Sequence, residues 1–77
     1  MDIETMLREM LTNQVPNQDL EYKLNLNGSR ITVIRTWNQW ERSWKPHYKI
    51  INEATGMTVA YSDFKWFLLG LCEYIRV

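Results

Sequence analysis

Residues able to do chemistry are scarce in this chain of 77 residues. His47 is its single histidine and Cys72 its single cysteine. His47 is a candidate general base, but no Ser, Cys or carboxylate accompanies it at a diagnostic spacing. Cys72 falls near the inner face of a C-terminal helical pattern and is expected to be a small buried hydrophobe. Without a second cysteine it forms no disulfide within the chain. Cys72 and His47 are the only soft metal ligands and lie far apart, which gives no zinc site. Glycine occurs only at 28, 56 and 70, so no phosphate-cradling loop is present. The expectation is no catalytic residue, no metal and no cofactor: the chain is not read as an enzyme.

Binding chemistry is better represented. The stretch from Thr36 to Lys49 holds Trp37, Trp40 and Trp44, three of the four tryptophans, interleaved with Arg42, Lys45, His47 and Lys49. Exposed aromatics among cations suit single-stranded nucleic acid, because bases stack on rings while cations neutralise phosphates. The same composition suits a protein interface, where Trp, Tyr and Arg supply most of the energy. The structural alternative is that Trp37 and Trp44 face each other and plug the core. Alternation from Ile31 and Val33 carries Trp37 inward. Trp40 sits among polar neighbours in what reads as a connection, and is expected to be a contact residue. The candidate partner-binding set is Trp40, Arg42, Trp44, Lys45 and His47. The three tryptophans fall at i, i+3 and i+7, which fits a short helix face or a wide hairpin loop of about six residues. Pro46 places the next strand at a sheet edge, where free backbone groups are open to pairing with another chain.

The elements that must position these residues follow from hydrophobic period. Ile3, Met6, Leu7, Met10 and Leu11 share one helical stripe, with Asp2 and Glu4 in the first turn. This predicts a helix within residues 1–13, ended by Pro16 in a linker over 14–19. From Leu20 the period becomes 2. Leu20, Tyr22, Leu24 and Leu26 alternate with polar residues, and Asn27-Gly28 is a strong hairpin signal. A two-residue turn there pairs Leu24 with Ile31 and Tyr22 with Val33, which puts both apolar sets on one face. Tyr48 to Ile51 reads as a third strand and Asn52 to Gly56 as a turn. Met57, Val59 and Tyr61 lie on a return strand. Residues 62–77 read as a closing helix with Ser62 as its N-cap and an inner face of Phe64, Phe67, Leu68, Leu71 and Ile75. Trp66 and Leu69 lie on the opposite side. The first helix covers them, or they form a second interface with a partner or another copy of the chain. The sum is one α+β domain: an N-terminal helix, a four-stranded antiparallel meander of two hairpins over 20–61, and a C-terminal helix on one face.

Length permits one domain with a small core, burying roughly 60–65% of the unfolded surface. No apolar run reaches the roughly 20 residues of a membrane-spanning helix, and Met1-Asp2-Ile3-Glu4 is not expected to be a signal peptide. A cytoplasmic protein is expected. Nine cations balance nine anions, yet they are segregated along the chain. Residues 1–21 carry five acids against Arg8, and residues 22–49 carry six cations against Glu41. Two outcomes are open: the acidic helix lies against the basic sheet and the charges pair internally, or the basic middle faces an acidic partner.

In size, acidic start, first helix and hairpin layout the chain resembles small accessory proteins of bacteriophages and mobile elements, of which anti-CRISPR and other anti-defence inhibitors are the best known. The resemblance covers the whole chain, rests on layout, and carries no functional residue over. It implies a non-catalytic inhibitor that blocks a host or phage protein, such as a nuclease or nucleoprotein complex, or that enters its nucleic-acid channel. Lys45 to Val77 also resembles the sheet-plus-helix arm-binding domains of phage integrases, through its strand at Tyr48 to Ile51, the Thr55-Gly56 turn, the return strand and Ser62-Asp63-Phe64 before a helix. Those domains are strongly basic and this stretch is not. The expected function is protein binding through the aromatic and basic patch, with nucleic-acid binding by the same segment as the alternative.

Overall fold

The computed structural model describes residues 2–75. Helix α1 (Ile3–Thr12) leads into strands β1 (Leu20–Leu26), β2 (Ser29–Trp40), β3 (Ser43–Asn52) and β4 (Thr58–Tyr61), and helix α2 (Phe64–Ile75) closes the chain. The strands form one antiparallel sheet in sequential order. Both helices contribute to a single core on one face of that sheet. The α+β meander read from the sequence is the fold observed.

Each element has a local cause. Asp2 caps α1, its Oδ1 accepting from the Thr5 N–H at 2.7 Å. Glu4 and Arg8 pair across one turn at 3.0 Å. Met6 and Met10 are buried, and Ile3 and Leu7 pack beside them, but Leu11 is 61% exposed and leaves the expected stripe. The first hairpin has the predicted register, Leu24 opposite Ile31 and Tyr22 opposite Val33. Asn27 and Gly28 both take positive φ, 55° and 86°. In the β3–β4 turn the Asn52 side chain accepts from the N–H groups of Ala54 and Thr55, while Gly56 takes φ 74° as predicted.

The closing helix starts two residues later than expected. Asp63, not Ser62, caps it: Oδ1 accepts from Lys65 N–H at 2.8 Å and its carbonyl from Phe67 N–H at 3.0 Å. Phe67 and Leu71 are fully buried, and Tyr74 rather than Ile75 packs on the core. Cys72 is exposed, contrary to its reading as a buried hydrophobe, because the helix turns the Phe67 and Leu71 side inward. Residues 76 and 77 lie outside the described residues. Tyr48 stacks on Phe67 at 4.7 Å between ring centroids and meets Phe64 edge-on at 5.5 Å, which joins sheet to helix. Gly70 lets the Tyr61 ring abut α2, since a Cβ there would lie 2.7 Å from Tyr61 Cζ.

The least expected core residue is Arg35, fully buried on the same face as Ile31 and Val33. Its guanidinium donates to the carbonyls of Met10, Asn13 and Gln18, the first at 3.5 Å and the last at 3.0 Å. It lies 4.8 Å over the Trp37 ring. A cation at the C-terminal end of α1 satisfies carbonyls that the helix leaves free and opposes the negative end of its dipole. Arg35 therefore fastens α1 and the linker to the sheet and is withdrawn from the basic surface.

Candidate functional site

The candidate residues from 36 to 47 stand on a two-stranded ribbon. Strand β1 begins opposite Arg35, and β4 ends opposite Tyr48. Beyond these, β2 and β3 continue alone through five cross-strand pairs, from Thr36 with His47 to Trp40 with Ser43. At about 3.4 Å per residue the ribbon projects roughly 17 Å beyond the flanked sheet, which accounts for a long axis of 41 Å against 23 and 18 Å.

Its tip corrects the expected connection. Trp40 is the last residue of β2, and only Glu41 and Arg42 separate it from β3, where a loop of about six residues or a short helix had been expected. Such a tight turn normally advertises itself with Gly or Asn. Here Glu41 takes the left-handed conformation, φ 57°, so the usual signature is missing. Pro46 lies inside β3, at a position that β4 does not reach. This is the edge environment that proline tolerates.

Strand pairing sorts the side chains into two faces. Trp40, Lys45 and His47 share the face away from the helices and line a shallow recess of about 210 Å³ with Asn38, Pro46 and Ser62. Trp40 is 65% exposed. Arg42 is exposed in the turn. Trp44 points to the other face, opposite Gln39, and is also exposed. The five candidates thus cluster at one end of the molecule without sharing one face. Trp37 turns inward as expected, but its Nε1–H donates to the Gln18 carbonyl at 3.1 Å and its ring meets Arg35, so neither Trp37 nor Trp44 plugs the apolar core.

The charges are separated by layer. The helices and the Asp63 cap carry Asp2, Glu4, Glu9, Asp63 and Glu73 against Arg8 and Lys65. The open sheet face carries Lys23, Arg30, Lys45 and Lys49, with Glu21 as the acid among its strand positions. Glu53, in the turn after β3, is held by the Thr32 hydroxyl. Among the described residues the ion pair formed is Arg8 with Glu4, inside α1. The acidic helix does not neutralise the basic sheet, because the two lie on opposite sides of it.

Trp66 and Leu69 are 60% and 48% exposed on α2. Helix α1 packs against β1 and α2 against β3 and β4, so α1 does not cover them as expected. Among the described residues no helix is long and apolar enough to cross a membrane, and no group of three or more His, Cys, Asp or Glu could hold a metal ion.

Arg35 is the important residue that sequence reasoning misplaced. Its phase, two residues after Val33 on the inward face, was the available signal. Together the fold and surface define a two-layer α+β domain with a projecting, aromatic-tipped ribbon. Comparison of the chain with protein-family models, curated proteins and solved structures returns no match.

Proposed function

We propose that the protein is a small non-enzymatic binding module, a cytoplasmic inhibitor of the phage anti-defence kind that blocks a surface on another protein. The observation that supports this is the ribbon. Building it beyond the sheet leaves Trp40 and Trp44 exposed and both backbone edges unpaired by β1 or β4. A ribbon that contributes little to the core but displays tryptophans and Arg42 has the composition of an interface centre. Its natural partner class is a protein with an apolar groove, such as a nuclease or a nucleoprotein complex. The second reading, nucleic-acid binding, draws on the unneutralised cations of the open face.

Affinity capture from a bacterial lysate with mass spectrometry tests the first reading. Wild-type protein should retain a partner that the Trp40→Ala variant loses, with the melting temperature nearly unchanged. Equal capture by both proteins refutes the ribbon as the contact surface. Trp66 and Leu69 remain a candidate second face; light scattering that shows a strict monomer at all concentrations removes self-association through it.

A further inference from the structure

We infer that the open face of the sheet binds single-stranded nucleic acid, with Lys23, Arg30, Lys45 and Lys49 on phosphates and Trp40 stacking on a base. This inference rests on the second reading above and names its ligand class and contacts. It needs the open face and not the ribbon's backbone edges, so it stands or falls separately from the protein-binding reading. Charge complementarity carries it. The helical layer is net acidic and the open face net basic, four cations against Glu21 and Glu53. Glu53 lines the recess beside Lys23 and Arg30 but is held by the Thr32 hydroxyl. None of the four cations has a carboxylate within ion-pair distance among the described residues. Their field is therefore directed outward, and an anion is the occupant it favours.

The arrangement along β3 selects a chain-like anion. Lys45, His47 and Lys49 occupy alternate positions of one strand on one face. The strand repeat spaces them by about 6.8 Å, comparable with the separation of successive phosphates in an extended polynucleotide. Lys23 on β1 and Arg30 on β2 widen the track towards the far end of the sheet. At the other end Trp40 stands 65% exposed beside the recess lined by Lys45 and His47, so a base can stack where the track ends. A polyanion without planar rings would engage the lysines but gain nothing from Trp40. A duplex, with its bases already stacked, would gain nothing there either.

Fluorescence anisotropy with a labelled oligothymidylate of about 12 nucleotides tests this in a purified system, so its failure is distinguishable from failure of partner capture in lysate. Four phosphate contacts predict a slope of log K against log salt near −3 (about 0.7 per contact on a single strand). The double variant Lys45→Gln/Lys49→Gln should flatten that slope by about 1.4, its two lost contacts each contributing about 0.7. Trp40→Ala should weaken binding about 5- to 100-fold with the slope unchanged, because stacking carries no counterion. Lys65→Gln, the same charge change on the helical layer, should alter neither quantity. The inference is overturned by absence of binding at low salt, by a slope indifferent to the lysine pair, by tighter binding of a duplex of the same sequence, or by displacement with polyglutamate as effective as with unlabelled oligonucleotide.

Discussion

Strand β2 is two different objects on either side of Arg35. From Ile31 to Arg35 it runs between β1 and β3, with Ile31, Val33 and Arg35 buried against the helices. From Thr36 to Trp40 the same strand has β3 on one side and no strand on the other, and its last three residues are exposed. The first half is selected by burial, where each inward position must fit a packed layer. The second half is free of that demand, and it is where tryptophan is displayed rather than consumed. Stability and recognition thus occupy consecutive segments of one strand.

The sharpest way to test this division is Arg35→Ala. It removes the Arg35 donors to the Met10, Asn13 and Gln18 carbonyls, of which Met10 keeps the Gln14 side chain and Gln18 keeps Trp37 Nε1–H, and it leaves a void under the linker. Deleting a buried side chain of this size costs about 2–5 kcal/mol through the void it leaves, with the orphaned Asn13 carbonyl adding to it, so urea denaturation should show a loss of about 3 kcal/mol. A loss under about 1 kcal/mol would mean that α1 docks through Met6 and Met10 alone. Next is Gly70→Ala. Helix propensity favours the change by about 1 kcal/mol, but the added Cβ meets the Tyr61 ring, and overpacking costs about 1–3 kcal/mol. The expected result is a net loss of about 1 kcal/mol, recovered in part by shortening residue 61 in Tyr61→Phe. A stabilised Gly70→Ala variant would show that the Tyr61 contact is soft.

Alkaline pH probes the same buried half without a mutation. Burial raises the Tyr48 hydroxyl above its ordinary value of 10.0, against a smaller opposing pull from Arg35. Burial likewise raises Tyr22, with Glu9 adding to it. A raised pKa in the folded state means that the unfolded chain loses its proton first. Stability is therefore fully present below about pH 10 and falls as pH rises towards the folded value. Chemical denaturation from neutral pH upward should show that decline, and Tyr48→Phe should make it shallower. An unchanged pH profile in that variant would assign the alkaline limb to Tyr22 or to the other tyrosines.

How much of this division the sequence reveals depends on which force sets each segment. The β1–β2 hairpin is legible down to its register, because turn chemistry at Asn27-Gly28 and the two-residue period agree there and a slip of one residue would expose every apolar side chain. The ribbon is less legible. Its tight turn uses Glu41 at positive φ, and its pairs carry no buried apolar set to fix a period, so tryptophans at i, i+3 and i+7 imitate a helix. Arg35 was hidden for a different reason: residue type usually predicts exposure for arginine, and only its phase shows that it faces the core. Leu11 and Cys72 fail the opposite way, lying near apolar stripes whose width two short helices cannot fully cover. The layered separation of charge needed the register, since sequence order alone does not say which side of a strand a lysine takes.

The smallest expected effect on stability decides most about function. Trp40 ends β2 opposite Ser43, with neither β1 nor β4 beside it and 65% of its surface exposed. Truncation to alanine removes little buried area, so the melting midpoint should move by less than about 0.5 kcal/mol equivalent. The same truncation of a central interface tryptophan typically costs 2 kcal/mol or more in binding, roughly a 30-fold loss of affinity. Arg35→Ala should show the inverse pattern at the level of the folded fraction: a large loss of stability, with any binding loss proportional to unfolding. If Trp40→Ala instead lowers stability as much as Gly70→Ala does, the ribbon is an extension of the core and the division of β2 at Arg35 fails. If stability holds while both partner capture and oligonucleotide affinity fall, the exposed half of β2 exists to make contact, because no demand of folding keeps a tryptophan there.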